Sequence, residues 1–237
     1  MLRDNRGWKL PLIVHFPAGN GACMSFIKLK VAWVIIYFSV LVWSGINPKD
    51  YLIWTLEVLP AVIGIIVLAA TYRSFPFTPL LYMLILIHCI VLMVGGHYTY
   101  AEVPLFESLK PILGFERNNF DKLGHFLQGF VPALIAREIL IRKEVIASPN
   151  WRNFFIVCFC LAFSALYELI EWVVAIVSAT AADAFLGTQG YIWDTQSDMA
   201  FALVGAIAAL VLLGRVHDHQ IRSITSQGKG PVSPIAV

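Results

Sequence analysis

Apolar runs broken by short polar stretches fill most of the chain. Six of them, at about 30–46, 51–71, 77–96, 121–141, 153–178 and 194–214, carry few charges. Each is roughly 18–25 residues long, the length of helix that an about 30 Å hydrocarbon core requires. The pattern predicts an all-α fold: a polytopic membrane helix bundle of about six transmembrane helices. Residues 30–215 form that membrane domain. Residues 1–29 form a basic N-terminal segment, and 216–237 a flexible cytoplasmic tail containing Gly, Ser and Pro. The short apolar run from Leu10 to Phe16 is interrupted by His15 and followed by Pro17, too broken for a signal peptide, and Met24 is an alternative start.

Composition agrees with the pattern. The 237 residues are 59% hydrophobic and 14% charged, where soluble domains are about 45–50% apolar and 25% charged. A net charge of +2 gives no reason to expect a nucleic-acid partner; the expected partner is membrane lipid. Trp8, Trp33, Trp43, Trp54, Trp151, Trp172 and Trp193 fall mostly near span ends, where interfacial rings belong. Cys23, Cys89, Cys158 and Cys160 have no CxxC spacing and read as small buried hydrophobes.

Lys/Arg asymmetry orients the bundle. With both termini cytoplasmic, the inner segments hold thirteen of the seventeen Lys and Arg, and the outer ones only Lys49, Lys110, Arg117 and Lys122.

Eight ionisable residues then gather at the outer end of the spans: His97, Glu102, Asp121, His125, Glu168, Glu171, Asp194 and Asp198. Such groups are costly in hydrocarbon. Taking 1.5 Å per residue, His125 and Asp198 lie about 6 Å deep and Glu168 about 8 Å, so three helices place side chains at one level. Asp121, Glu171 and Asp194 form a shallower layer. Asp121/His125 and Asp194/Asp198 are i,i+4 pairs and Glu168/Glu171 is an i,i+3 pair, each on one helical face. Six carboxylates with only Lys122 and Arg117 beside them must bind a cation, hold protons or be wet.

Oxygen-rich ligation with an imidazole suits a divalent metal ion, with His125, Glu168, Asp198 and Asp194 as candidate ligands. Glu168, Glu171 and Asp121 are the candidate catalytic carboxylates, one of them a base for a metal-bound water. Asp121 and Asp194 also fit helix-dipole pairing. Glu102 and Glu107 read as solvated, His97 as interfacial, and His88 as a hydrogen-bonded core residue. Arg137 and Glu138 can pair or snorkel, while Gly205, Ala206 and Ala209 permit close helix approach. The stretch Gly187-Thr188-Gln189-Gly190 reads as a tight turn.

The segments His97-Tyr98-Thr99-Tyr100-Ala101-Glu102-Val103-Pro104, Arg117 through Gly129 and Phe185 through Asp194 resemble the YjdF-like family of bacterial inner-membrane proteins of unknown function, over roughly residues 30–215. A looser likeness reaches VanZ-like membrane proteins, through Asp121 to Phe126, Tyr167-Glu168-x-x-Glu171, and Asp194 with Asp198 ahead of Gly205. VanZ-like chains usually carry Gln where this one has Glu171. The resemblance implies an inner-membrane location and a cell-envelope role. Three functions compete: an envelope enzyme acting on a lipid or lipid-linked substrate, a proton- or cation-coupled transporter, and a non-catalytic accessory protein. Transporter sites usually lie near the midplane between inverted repeats, whereas these acids lie at one face.

Overall fold

The computed structural model describes residues 20–177 and 188–227. Among the described residues there are seven helices and no strand: α1 (Asn20–Ser44), α2 (Tyr51–Thr71), α3 (Pro79–Tyr98), α4 (Pro104–Leu113), α5 (Phe120–Arg142), α6 (Pro149–Val177) and α7 (Asp194–Gln227). Each of the six predicted segments falls on one of the long helices. By length and composition, α2, α3, α6 and α7 can each cross a membrane.

Local signals set the helix ends. The Asp50 carboxylate caps α2 by accepting from Leu52 N at 2.7 Å and Ile53 N at 2.9 Å. Pro79 and Pro104 open α3 and α4, where a missing N–H costs nothing. Gly114 closes α4 at φ +69, a conformation glycine adopts without strain. Helix α4 falls between the predicted spans, because ten residues with two prolines carry too little periodicity to stand out.

Helix α5 is the centre of the bundle. It buries twelve of its 23 residues, against five of 29 in α6. It packs on α3, α6 and α7, and α3 in turn supports α1 and α2. Its polar residues are therefore turned into protein, while the apolar side chains of α1, α2 and α6 (Ile35, Ile66, Phe159 and Leu169 among them) face outward and are exposed. That outer surface is what a lipid environment would cover.

The tightest contact is between α5 and α7. A Cβ on Gly129 would lie 1.8 Å from the Ala202 carbonyl oxygen, and one on Gly205 would lie 2.0 Å from that of Phe126. Ala202, Ala206 and Ala209 are fully buried along the same seam, the small-residue approach that the sequence suggested.

Two expectations are corrected here. Helix α7 runs to Gln227, and at 1.5 Å per residue its 34 residues reach about 51 Å, well past an about 30 Å core. His217, assigned to a flexible tail, is fully buried. The reason is Glu138 on α5, which His217 Nε2 meets at 2.9 Å, beside Thr78 Oγ1 at 2.9 Å and Arg142 Nη1 at 2.7 Å. Arg137 pairs with Asp218 at 2.7 Å in the same network. Residues 228–237 of the expected tail, and 1–19 of the N-terminal segment, lie outside the described residues. Cys158, read as buried, is exposed, while Cys89 and Cys160 are buried; residues two apart on a helix cannot share a face.

Candidate functional site

At the end of the bundle where α5 and α7 begin, four helices bring ionisable groups together around His125. Its Nε2 stands 3.3 Å from Asp121 Oδ1, 3.7 Å from Glu168 Oε1 and 3.8 Å from Asp198 Oδ1. On the other side of the ring, Nδ1 lies 3.0 Å from Gln128 Oε1. An amide oxygen only accepts, so that contact makes Nδ1 the donor and turns Nε2 toward the three carboxylates. Two sets of ligand-type atoms converge, Asp121–His125–Asp198 and His125–Glu168–Glu171, each within 4.8 Å. The depth-matched trio of His125, Glu168 and Asp198 is thus brought into one site, with Asp121 and Glu171.

Asp194 sits differently. Its Oδ1 accepts from Arg117 Nη1 at 2.6 Å and from Lys122 Nζ at 2.7 Å. Lys122 Nζ also donates to Asp198 Oδ1 at 2.6 Å, so Lys122 ties the two acids of the first turn of α7. Glu168 Oε1, by contrast, is buried with no hydrogen-bond partner among the described residues.

His97 and Glu102 are not part of the cluster. His97 Nδ1 lies 3.0 Å from the Ser44 carbonyl and its ring stacks near Trp43. Glu102 pairs with Lys49. Glu107 is bound by Lys110 at 2.6 Å, and that hydrogen bond holds its carboxyl below the usual range.

The sixth carboxylate comes instead from Glu57 of α2, which is buried and accepts from Tyr167 Oη at 3.2 Å. Sequence reasoning missed it, although Glu57 is the one charged residue between 51 and 72. A cavity of about 60 Å³ lies between Glu57, His88, Tyr100, His125, Tyr167 and Glu171. One water needs about 10–15 Å³ on this scale, so several fit. His88, expected to be a satisfied core histidine, has a buried Nε2 with no partner among the described residues and lines this cavity.

Tyr100 closes the space because glycines make room for it. A Cβ on Gly95 would come within 2.3 Å of its ring, and one on Gly124 within 3.0 Å. Thr99 and Tyr100 both take positive φ, at 59 and 51, to turn the ring inward. Thr188 to Gly190 make the expected turn, closed by Tyr191 N donating to Thr188 O at 2.8 Å; Gly187 lies outside the described residues. Six carboxylates against Arg117 and Lys122 leave four charges for His125, protons or a bound cation to balance.

This is a helical membrane protein that gathers acids around a buried histidine, His125, at one end of its bundle, with a second buried network around Glu138 and His217 at the other. The chain belongs to the family described as Predicted membrane protein (DUF2238), whose model matches residues 29–219. It is 51% identical over 183 residues to the inner membrane protein YjdF of Escherichia coli (strain K12), covering 77% of this chain and 88% of that protein. No solved structure matches the chain. The protein is accordingly a multi-pass protein of the bacterial inner membrane. The matched segment includes every member of the cluster, and extends two residues past His217.

Proposed function

We propose that the cluster binds a divalent metal ion and acts on a lipid or lipid-linked envelope substrate at the outer leaflet. The observation that carries this is the spacing around His125 Nε2, 3.3, 3.7 and 3.8 Å to three carboxylate oxygens. Those separations are long for hydrogen bonds. In a tetrahedral site with bonds of about 2.0–2.2 Å, ligand atoms stand about 3.3–3.6 Å apart. Gln128 on Nδ1 is the kind of outer contact that fixes a ligating imidazole. One imidazole with carboxylates suits zinc, manganese or iron(II).

In this reading His125 is the shared ligand of two convergent sets, with Asp121 and Asp198 in one and Glu168 in the other, and Asp194 anchors Arg117 and Lys122. A divalent ion there would supply an activated water and polarise a phosphoryl or carbonyl oxygen. Glu171, beside His125 and Glu168, is placed to accept the proton, with Glu57 and the cavity behind it. The outer-leaflet position rests on the Lys/Arg bias, six spans and cytoplasmic termini.

The test is metal content. Protein purified without added chelator should carry about one divalent ion per chain by mass spectrometry of the metals, and His125→Ala and Glu168→Gln should lose it. Metal-free wild type, reconstituting with none of the three metals, would sink the reading. Proton- or cation-coupled transport is the second reading, favoured by the cavity that carries Glu57 and His88 below the cluster. Uptake into proteoliposomes that collapses in Glu168→Gln would support it.

A further inference from the structure

Beside the cluster, α4, α5 and the start of α7 frame a second and larger hollow of about 780 Å³. Phe106, Phe115, Leu123, Phe126 and Phe201 give it an apolar wall, and Glu116 and Asn119 stand in its lining beside the basic residues. Phe115 and Phe201 are exposed, so one wall is open to whatever surrounds the bundle. At its polar end stand Arg117 and Lys122, with the Tyr191 ring centroid 5.4 Å from the guanidinium and 6.0 Å from the ammonium. The groove is therefore amphipathic, its charged lining being Arg117 and Lys122, both held by acids of α7, and Glu116.

Arg117 supplies the second observation. Its Nη1 donates to Asp194 and to the Thr188 carbonyl at 3.0 Å. Its Nε and Nη2 are shut from solvent and have no acceptor among the described residues. Asp121 Oδ2, at 4.0 Å from Nη2, is too far to bond. Buried N–H groups without acceptors are costly, and a guanidinium edge presents paired donors suited to a phosphate. The loop bearing Tyr191 is fixed in place by reciprocal bonds, Asn118 N to Gln189 Oε1 and Gln189 Nε2 to Asn118 O, both 2.9 Å. Tyr191 itself is partly exposed, so its ring can turn aside to admit an anionic oxygen while the loop stays.

We infer that this groove binds a phosphate-bearing anionic membrane lipid, its headgroup at Arg117 and Lys122 and an acyl chain along the phenylalanines. Lys122 lines the groove and also holds Asp198 of the cluster, so a headgroup seated there is adjacent to His125 and its acids. The inference names the substrate class for the proposed outer-leaflet site and rests on that reading for its consequence, but the binding itself needs no metal.

The test is a lipid titration of the full chain in detergent, read by native mass spectrometry. The probes are dioleoyl phosphatidylglycerol and dioleoyl phosphatidylcholine, with glycerophosphoglycerol as a headgroup lacking chains. One phosphatidylglycerol should be retained about tenfold more tightly than phosphatidylcholine. Arg117→Gln should abolish that preference. Should Arg117→Gln misfold, Phe115→Asp, an exposed change at the groove that adds a negative charge, should weaken phosphatidylglycerol selectively. Equal retention of the two lipids in the wild type, or an unchanged preference in the folded variants, overturns the inference. Displacement of phosphatidylglycerol by glycerophosphoglycerol at equal concentration also overturns it, because the site would then read a free phosphate ester. The metal-free His125→Ala protein should still prefer phosphatidylglycerol. Lipid preference without metal would defeat the metal reading alone, and metal without lipid preference would defeat this inference alone.

Discussion

Gly129 of α5 and Ala202 of α7 meet backbone to backbone, with room for no side chain between them: a Cβ on Gly129 would sit 1.8 Å from the Ala202 carbonyl oxygen. Gly129 is one turn beyond His125, and Ala202 one turn beyond Asp198. The crossing therefore sets the 3.8 Å separation of His125 Nε2 from Asp198 Oδ1. It is the structural reason that a histidine of one helix and an acid of another share a site.

Gly129→Ala should force the helices apart, since the atom in the way is backbone and cannot swing aside. Overpacking of this kind costs about 1–3 kcal/mol. The thermal midpoint in detergent should drop, and under the proposed metal binding the metal content should drop with it. Gly214→Ala on the same α7 meets nothing within 4 Å and should leave the midpoint in place. Equal midpoints for the two variants would show that the crossing has slack.

The long helices were legible because apolar runs of this length have few alternatives, and the meeting of His125, Glu168 and Asp198 because helix rise brings their positions on three helices to one level. What stayed hidden depends on partners distant in sequence. Glu57 is a lone acid in an apolar run, and its link to the cluster is the Tyr167 hydroxyl, 110 positions away. His217 lies in a polar stretch that reads as solvated, and the group that buries it, Glu138, is 79 positions earlier. Glu102 seemed a member because it sits near the right end of α3; Lys49, on the opposite flank, takes it out. Patterns along the chain report which face of an element is buried. They do not report which groups meet across it.

Lys122→Met should be among the most damaging single changes. Lys122 Nζ donates to Asp194 at 2.7 Å and Asp198 at 2.6 Å from a nearly buried position. Removing one partner of a buried pair costs about 3–5 kcal/mol, because the remaining charge is left uncompensated. Adding Asp198→Asn to Lys122→Met should recover a large part of that loss. A double variant no more stable than Lys122→Met, in denaturation measured in mixed micelles, would show that Lys122 does not serve to neutralise Asp198.

His217→Ala should destabilise the other end of the bundle and leave the proposed metal site intact. Glu138 would lose the 2.9 Å contact from His217 Nε2 while remaining fully buried and bonded to Thr78 and Arg142, and a lost hydrogen bond to a charged group costs about 1.5–3 kcal/mol. His217→Gln, which offers an amide donor, should recover part of it. Metal content measured beside the thermal midpoint separates the two ends: a His217→Ala protein that loses metal at an unchanged midpoint would contradict the division into a site end and a locking end.

Gln128→Leu tests the orientation of His125 directly. The Gln128 amide oxygen lies 3.0 Å from His125 Nδ1, and with that acceptor gone nothing in the pair favours the tautomer that leaves Nε2 free to ligate. Loss of such an outer contact lowers metal affinity by about 10–100-fold. Gln128→Glu keeps an acceptor in place and should hold affinity near the wild-type value or above it. Competition with a chelator of known affinity reads both. Glu57→Gln, which removes a charge beyond ligand distance, should retain the metal in the same assay. The pattern expected of a true imidazole ligand is loss in Gln128→Leu with retention in Gln128→Glu and Glu57→Gln; equal affinity in all three would mean that Nε2 holds no ion.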